Sequence, residues 1–255
     1  MLLAIDIGNS NTLVGLFEAG KLTRSFRLST GRSMTGDEGL LLLERLLDSA
    51  GVSVEKVQGV IISSVVPEVT TSFVRAATDQ FRVNPVVVGP HLEMDLKLCY
   101  SIPEEIGADR IVDAVAAWEK YGGPVIVVDF GTATTFDVVT GDGRYVGGAI
   151  CPGIQSGAAE LSRRAARLPR VEIKPPERAL GRNTLESMQS GIIYGTVGQV
   201  KELISRLTEE LGEPPKVVAT GGLVDLIASE LDNVEIDREL TLQGLRILYE
   251  RNKKD

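Results

Sequence analysis

The chain contains an internal repeat. The segment AIDIGNSNT, which begins at Ala4, returns as VVDFGTATT, which begins at Val127. An offset of 123 residues separates the two copies, and it continues without a gap to the pair Gly20 and Gly143. We therefore expect two related halves with the same local structure.

Each copy reads as an apolar strand that ends in Asp-x-Gly and is followed by small hydroxyl or amide residues. A glycine at this point lets the backbone approach a phosphate, and the polar groups that follow can donate hydrogen bonds to its oxygens. One isolated copy would be equally consistent with an Asx-turn in a hairpin. Two copies in register favour a cleft in which both carboxylates face one polyphosphate, and so they predict a nucleotide site.

Composition narrows the class of protein. The 255 residues are 43% hydrophobic and carry a formal net charge of −8. This length suits two small domains, and no apolar run approaches the roughly 18 residues of a membrane span. The negative charge argues against nucleic acid as a partner. No export signal precedes the first strand, which predicts a cytoplasmic protein without membrane contact.

Hydrophobic periodicity predicts the order β-β-β-α-β-α-β in the first half, and the same three opening strands begin the second half. The predicted strands cover 2–7, 13–18, 22–28, 57–65, 85–88, 125–129, 135–139, 145–150 and 217–219. The predicted helices cover 39–47, 67–81, 105–121, 155–167, 185–210, 240–251 and a segment that starts at 223. The spacing of Thr35 and Glu38 also predicts a capping box.

This order is that of the ribonuclease-H-like, actin-like ATPase fold. We expect an α/β protein with two duplicated lobes, each a mixed sheet with flanking helices, and a cleft between them. The lobes are predicted at 1–121, which ends in a linking helix, and at 122–255. The final helix is expected to pack back on either lobe.

The first copy of the repeat predicts a phosphate cradle. Asp6 would hold Mg²⁺ directly or through water, while the residues from Asn9 to Thr12 donate to phosphate oxygens. The second copy places three threonines after Gly131, and their oxygens suit phosphate on one side and a cation such as K⁺ or Mg²⁺ on the other. Gly221 and Gly222 follow a strand, where an adenosine or its phosphates could lie against the backbone. A simple strand-to-helix turn is the alternative.

The segment from Gly107 to Arg110 opens the linking helix. Asp109 could be a helix cap or a first-turn acid that balances the helix dipole. It could instead accept a proton from a hydroxyl that attacks ATP, with Arg110 pairing with an anionic substrate. The second possibility makes phosphoryl transfer the reaction class.

Taken together, the motifs resemble those of the type III pantothenate kinases over almost the full length. They are DIGNSNT from Asp6, SSVVP from Ser63, GADR from Gly107, DFGTATT from Asp129, GGAICPG from Gly147 and TGG from Thr220. One departure is Cys151, where a bulkier apolar residue would be ordinary, which concerns packing rather than chemistry.

The resemblance implies a set of site residues. It implies that Asp109 is the proton acceptor and that Asp129 binds a monovalent cation, K⁺ or NH₄⁺. The residues implied for ATP phosphates are Asp6, Ile7, Gly8, Asn9, Ser10, Asn11, Thr12, Leu13 and Thr132. The residues implied for pantothenate are Tyr100, Gly107, Ala108, Asp109, Arg110 and Thr184. It further implies an ATP-dependent, Mg²⁺-requiring homodimer that makes the first intermediate of coenzyme A biosynthesis.

Each of these assignments has alternatives in the residues alone. Tyr100 could be a half-buried aromatic, and Thr184 could be a helix N-cap. A related kinase with another small hydroxyl or carboxylate substrate is the main enzymatic rival. A nucleotide-sensing regulator that does no chemistry is the rival of another class. The presence of Asp6, Asp109 and Asp129 together argues against that regulator.

Overall fold

The computed structural model describes residues 1–31 and 34–253. It divides into two units, one formed by residues 1–119 and 239–255 and the other by residues 120–238. Each unit is built around its own hydrophobic core and a mixed β-sheet. The prediction of an α/β fold with two mixed sheets and flanking helices is confirmed.

The first unit opens with a meander of three antiparallel strands. Its strands are β1 (Leu2–Ile7), β2 (Asn11–Glu18), β3 (Lys21–Ser29), β4 (Gly59–Ser64), β5 (Val86–Val87) and β6 (Lys97–Leu98). Its helices are α1 (Gly36–Ser49), α2 (Pro67–Phe81) and α3 (Ala108–Tyr121), which ends in the second unit. The first sheet has the order β3-β2-β1-β4-β5, with β4 parallel to β1.

Local sequence signals set the helix ends in this unit. Glu38 N donates to Thr35 Oγ1 at 3.2 Å and Thr35 N donates to Glu38 Oε2 at 2.7 Å, so the predicted capping box is present. Pro67 occupies the first turn of α2, where its missing N–H costs nothing, and the helix ends at Phe81 as predicted. Both helices pack their apolar faces into the core that also covers Ile5 and Ile7 of β1.

The second unit repeats the three-stranded opening. Its strands are β7 (Val125–Phe130), β8 (Ala133–Val139), β9 (Arg144–Pro152), β10 (Lys216–Thr220) and β11 (Val234–Ile236). Its helices are α4 (Ile154–Arg164) and α5 (Thr184–Leu211). Within this unit the strands lie in the order β11-β10-β7-β8-β9, with β10 parallel to both β7 and β11.

The C-terminal helix, α6 (Leu240–Asn252), belongs to the first unit. It contacts β1, β2 and β4, and a β-carbon at Gly15 would lie 2.9 Å from Leu242 Cδ2. The sequence assigned 122–255 to the second lobe, which is wrong for this helix, because its apolar face is buried against the first sheet. The chain thus leaves the first unit after Glu119 and returns to it at Glu239.

The two points at which the chain enters and leaves the second unit are bonded to each other. Lys120 Nζ donates to Asp237 Oδ2 at 2.7 Å, and Tyr121 Oη donates to the same oxygen at 3.0 Å. Asp237 is buried, while about half of the Lys120 side chain is exposed. The ion pair and the phenol together satisfy this buried carboxylate, which raises the pKa of Lys120.

The repeat is present in space, but its register differs from the gapless sequence offset. Ile7 pairs with Thr12 in the first hairpin, whereas Phe130, its counterpart, pairs with Thr134 rather than Thr135. Four residues therefore lie between the last paired residues Ile7 and Thr12, and three lie between Phe130 and Thr134. The next turn compensates for the difference, because β9 returns to the offset of 123.

This shift corrects the predicted pairing of Thr12 with Thr135. The structural counterpart of Thr12 is Thr134, and both are buried, at 3% and 0% exposure. Since side chains alternate between the faces of a sheet, a shift of one residue moves a side chain to the opposite face. Thr135 accordingly lies on the other face of β8, opposite Asp129.

The helix predicted from Leu223 is absent. In its place are two 3-10 turns, Val224–Leu226 and Ala228–Glu230, closed by bonds from each N–H to the third carbonyl before it. The chain then enters strand β11 at Val234. Among the described residues, no helix combines the length and the apolar character that crossing a membrane requires.

Candidate functional site

Asp6 and Ser63 lie side by side at the carboxyl ends of two parallel strands. They are register partners on β1 and β4, so their side chains emerge on the same face of the sheet. Ser63 is fully buried, and neither Asp6 Oδ1 nor Ser63 Oγ has a hydrogen-bond partner in the described chain. Buried polar atoms without partners are costly, which marks this position as one that a ligand completes.

The ionisation of Asp6 is strongly perturbed. Its pKa is raised to about 7, mainly because the carboxyl is buried and also because the nearby carboxyl of Asp109 repels its negative charge. The Ser63 hydroxyl and the more distant Arg27 act in the opposite direction. A cation at this site would favour the ionised form, because it would offset the cost of desolvation.

Asp109 sits in the first turn of α3, in the same unit as Asp6. Its Oδ1 accepts a hydrogen bond of 2.8 Å from Arg110 N. Burial raises the pKa of Asp109, and the Arg110 amide and guanidinium only partly offset that effect. A carboxyl with a raised pKa is better matched to accepting a proton near neutral pH than an ordinary aspartate.

The residues around Asp109 hold it tightly. A β-carbon at Gly107 would lie 2.5 Å from Asp109 Oδ1, so a larger residue there would displace the Asp109 carboxylate. Arg110 is buried at 7% exposure, and Asp113, one turn further along α3, is buried as well. Tyr100 is half-buried, as the alternative to a substrate role had it. Sequence reasoning did not single out Asp113, although a carboxylate among apolar helix residues is itself a signal of a site or an ion pair.

The turn after β1 presents its polar groups to solvent. Gly8 N donates to Asn11 O at 3.0 Å and closes the turn, while Asn9, Ser10 and Asn11 are exposed. The Thr12 hydroxyl lies inside and shares a 2.9 Å hydrogen bond with Thr30 Oγ1. The exposed part of the predicted cradle is therefore the turn itself, and Thr12 fixes the end of the hairpin.

Asp129 is the corresponding residue of the second unit. A β-carbon at Gly221 would overlap its Oδ1, and one at Gly131 would lie 3.3 Å from its Oδ2. Gly221 also has φ +99°, a conformation that other residues rarely adopt. Two glycines thus leave open the space around one carboxylate, which sits opposite Thr135 on β8 and Thr220 on β10.

The turn after β7 packs against the start of α4. Ser156 Oγ donates to Thr132 O at 2.7 Å, and a β-carbon at Gly153 would overlap the same carbonyl. Thr132 itself is exposed. The backbone of this turn is held closely, while its outer surface remains open.

A pocket of about 970 Å³ opens beside the glycine pair of the second unit. It is lined by one face of α4, by Arg170 to Ile173, and by residues from Gly222 to Leu226. Thr184 lies elsewhere in this unit as the first residue of α5 and is exposed. The N-cap is Asn183, whose Oδ1 accepts from Glu186 N at 2.9 Å, so the N-cap alternative for Thr184 is wrong.

The predicted site residues fall into two groups, one in each unit. The first unit brings together Asp6 and Asp109, and sequence reasoning overlooked Ser63, the neighbour of Asp6 on β4, as a site residue. The second unit brings together Asp129, Gly131 and Gly221. The signal for Ser63 was the parallel pairing of β1 with β4, which a reading of single segments cannot supply.

One known protein family matches most of the chain. The sequence profile of the type III pantothenate kinase family matches residues 2–206, which is most of the chain. The chain belongs to the type III pantothenate kinases. It is therefore an enzyme, a kinase that transfers a phosphate group to an alcohol.

Solved structures show how widely the fold of this kinase is shared. A conserved protein from Campylobacter jejuni assigned to the Baf family of transcriptional activators has 21% identity and a TM-score of 0.60, with 97% of each chain covered. The inorganic polyphosphate/ATP-glucomannokinase of Arthrobacter sp. strain KM has 15% identity and a TM-score of 0.51, with 96% of each covered. An activator of 2-hydroxyisocaproyl-CoA dehydratase from Clostridium difficile, solved with ADPNP, has 13% identity and a TM-score of 0.52, with 97% and 92% covered. At these identities the likeness establishes the fold alone.

Proposed function

We propose that this kinase uses ATP to phosphorylate the primary hydroxyl of pantothenate, which gives 4′-phosphopantothenate and starts coenzyme A biosynthesis. The observation that carries the proposal is Asp109, a desolvated carboxyl with a raised pKa beside a buried arginine, in a member of this family. Such a group can take the hydroxyl proton as the oxygen attacks the γ-phosphorus.

Asp109 acts as general base in this proposal, and a neighbouring backbone amide fixes the orientation of its carboxylate. Arg110 N holds Oδ1, which leaves Oδ2 to face the substrate hydroxyl. The Arg110 guanidinium would attract the carboxylate of pantothenate, for which arginine offers paired donors. Gly107, Ala108, Tyr100 and Thr184 complete the proposed pantothenate set.

The ATP phosphates would bind along the first turn, from Asp6 to Leu13, where exposed amide and hydroxyl groups can donate. Thr132 would contribute from the second unit, and Gly221 and Gly222 would contact the adenosine or its phosphates. Hydrogen bonds that strengthen as charge builds on the transferring phosphoryl group lower the barrier.

The residues at Asp6 fit a magnesium ion held mainly by phosphates and water. Asp6 Oδ1 and Ser63 Oγ are oxygen atoms without partners, which Mg²⁺ prefers as ligands or as contacts for its water molecules. The described residues contain no group of three histidine, cysteine or acidic side chains that could hold a metal alone. Mg²⁺ supplies neutralisation of the phosphate charge when bound, and Asp6 orients it.

The residues at Asp129 fit a monovalent cation, K⁺ or NH₄⁺. The Asp129 carboxylate has glycines on two sides, and these carry no side chain that would compete with a cation. Thr135 is its partner on β8 and offers a hydroxyl oxygen. A cation there would balance negative charge near the second turn. Its role is to position phosphate, not to react.

A coupled assay for ADP formation tests the proposal. Wild type should turn over MgATP only with pantothenate, and Asp109→Asn should lose about 10²- to 10⁴-fold in kcat while it still binds ATP. Glu104→Gln, an exposed acid in the preceding 3-10 turn, is the matched control and should keep full activity. Turnover with other small alcohols but not with pantothenate would overturn the substrate assignment.

We also propose that the enzyme acts in the cytoplasm as a homodimer, as the family resemblance implies. Light scattering at micromolar concentration tests the dimer. A mass of 27.4 kDa, that of one chain, would contradict it.

A further inference from the structure

A buried network in the second unit ends at the hydroxyl opposite Asp129. Tyr145 Oη donates to Asp137 Oδ1 at 2.7 Å, and Thr135 Oγ1 donates to Asp137 Oδ2 at 3.2 Å. Asp137 and Tyr145 are exposed by only 1% and 0%. Thr135 is half-buried, so a ligand can still reach its hydroxyl.

The direction of these hydrogen bonds decides what Thr135 can bind. A threonine hydroxyl has one hydrogen and two lone pairs, whereas an ionised carboxylate can only accept. Two donors converge on Asp137, whose two carboxylate oxygens accept both hydrogen bonds. The hydrogen of Thr135 is therefore committed to Asp137, and only its lone pairs remain for a ligand. Lone pairs attract a cation and repel a phosphate oxygen.

Thr135 and Asp129 are close enough to share one cation. They face each other directly across β8 and β7, and directly opposed residues have β-carbons about 4.5–5.5 Å apart. Both side chains project from the same face of the sheet. The sequence left open which threonine of this turn serves phosphate and which serves a cation.

The first unit provides an internal comparison. In register, Leu13 stands where Thr135 stands, Gly15 where Asp137 stands, and Leu22 where Tyr145 stands. There the face is filled by hydrocarbon, since Leu242 packs over Gly15. The network is thus a feature of one copy of the repeat and not of the fold.

We propose that Thr135 is a ligand of the monovalent cation held by Asp129, and that Asp137 and Tyr145 are positioning residues that orient its hydroxyl. This inference rests on the cation role proposed for Asp129. It assigns the cation to the second unit, because the equivalent hairpin of the first unit lacks every polar member of the network.

Thr135→Val tests the inference, because valine keeps the shape and removes the hydroxyl. Two readouts are needed: the melting temperature in KCl against choline chloride of equal concentration, without ATP, and the K⁺ concentration that gives half-maximal activity. We expect K⁺ to raise the melting temperature of wild type. Thr135→Val should lose most of that rise and need about tenfold more K⁺, with less than about twofold change in KM for ATP.

Matched variants distinguish the possible causes of a changed response to K⁺. Thr135→Ser, which retains the hydroxyl, should respond to K⁺ as wild type does, and Tyr145→Phe should weaken the response without abolishing it. If Asp129→Asn loses the K⁺ response and Thr135→Val keeps it, the role of Thr135 is wrong while the cation site stands. A raised KM for ATP in Thr135→Val with an intact K⁺ response would assign the hydroxyl to phosphate instead. No K⁺ response in wild type would overturn both proposals.

Discussion

Ser63 faces Asp6 across two parallel strands, and the Ser63 Oγ and Asp6 Oδ1 atoms are both buried without a hydrogen-bond partner. A folded chain tolerates such atoms where a ligand supplies the missing bonds. The pair is therefore a place where function costs stability.

The variant Ser63→Ala separates the effect of this hydroxyl on stability from its effect on activity. Removal of a buried hydroxyl without a partner should change the free energy of unfolding by less than about 1 kcal/mol, or raise it. Activity with MgATP should fall by about tenfold or more, because the ligand loses the hydrogen bond that this hydroxyl would supply. Ser64→Ala is the matched control: its Oγ accepts from Val66 N at 3.0 Å, so stability should fall by about 1 kcal/mol and activity should remain. Equal activity in wild type and Ser63→Ala would contradict the assigned role.

Asp6→Asn should make the protein more stable at high pH. Asp6 has a pKa of about 7 in the folded chain against 3.8 as the ordinary value, so the folded state holds an extra proton between these limits. Stability from this group therefore falls as the pH rises from 3.8 to about 7. The variant should gain about 1–4 kcal/mol at pH 8 and little at pH 4, while it loses activity. Urea denaturation at pH 8 and pH 4 measures the free energy of unfolding of the variant and of wild type. An equal gain in stability at the two pH values would refute the prediction.

Gly221→Ala should strongly destabilise the second unit. The new methyl would overlap Asp129 Oδ1 at a backbone φ of +99°, so both strain and steric overlap oppose it. We expect a loss of about 2–4 kcal/mol. Gly212→Ala is the control, because Gly212 has φ +73° but open space around it, and should cost only about 1 kcal/mol. Similar losses in both variants would show that the space near Asp129 is not restricted.

Thr35→Ala should remove the capping box of α1. The variant loses the bond from Glu38 N to Thr35 Oγ1 and the bond from Thr35 Oγ1 to Glu38 Oε2, while the backbone bond from residue 35 to Glu38 can remain. The free energy of unfolding should fall by about 0.5–2 kcal/mol. In a double-mutant cycle with Glu38→Ala, the two losses should be less than additive, because each substitution removes the bond from Thr35 Oγ1 to Glu38 Oε2. Fully additive losses would indicate that the two side chains act independently.

The sequence predicted what local patterns can determine. The helix from Pro67 to Phe81 and the capping box at Thr35 follow from apolar spacing and end signals, and both are as expected. The repeat revealed two halves that begin alike. These features need only neighbours along the chain.

Other features depend on contacts far apart in sequence. The gapless sequence offset matched Thr12 with Thr135. It cannot show that the turn between β1 and β2 is one residue longer than the turn between β7 and β8, or that the next turn is one residue shorter. Ser63 becomes a site residue only when β4 pairs with β1. α6 belongs to the first unit, where Leu242 packs on Gly15 of the first sheet. The amino-acid composition of α6 alone does not show on which of the two sheets it packs.

Because α6 completes the first unit, the two units mature in reverse order during synthesis. Residues 120–238 leave the ribosome before residues 239–255, so the second unit has all its strands and helices while the first still lacks its last helix. The bond between Lys120 and Asp237 closes that inner segment as soon as its end emerges. The half of the protein that is translated first can therefore complete its contacts only after the whole of the other half has been translated.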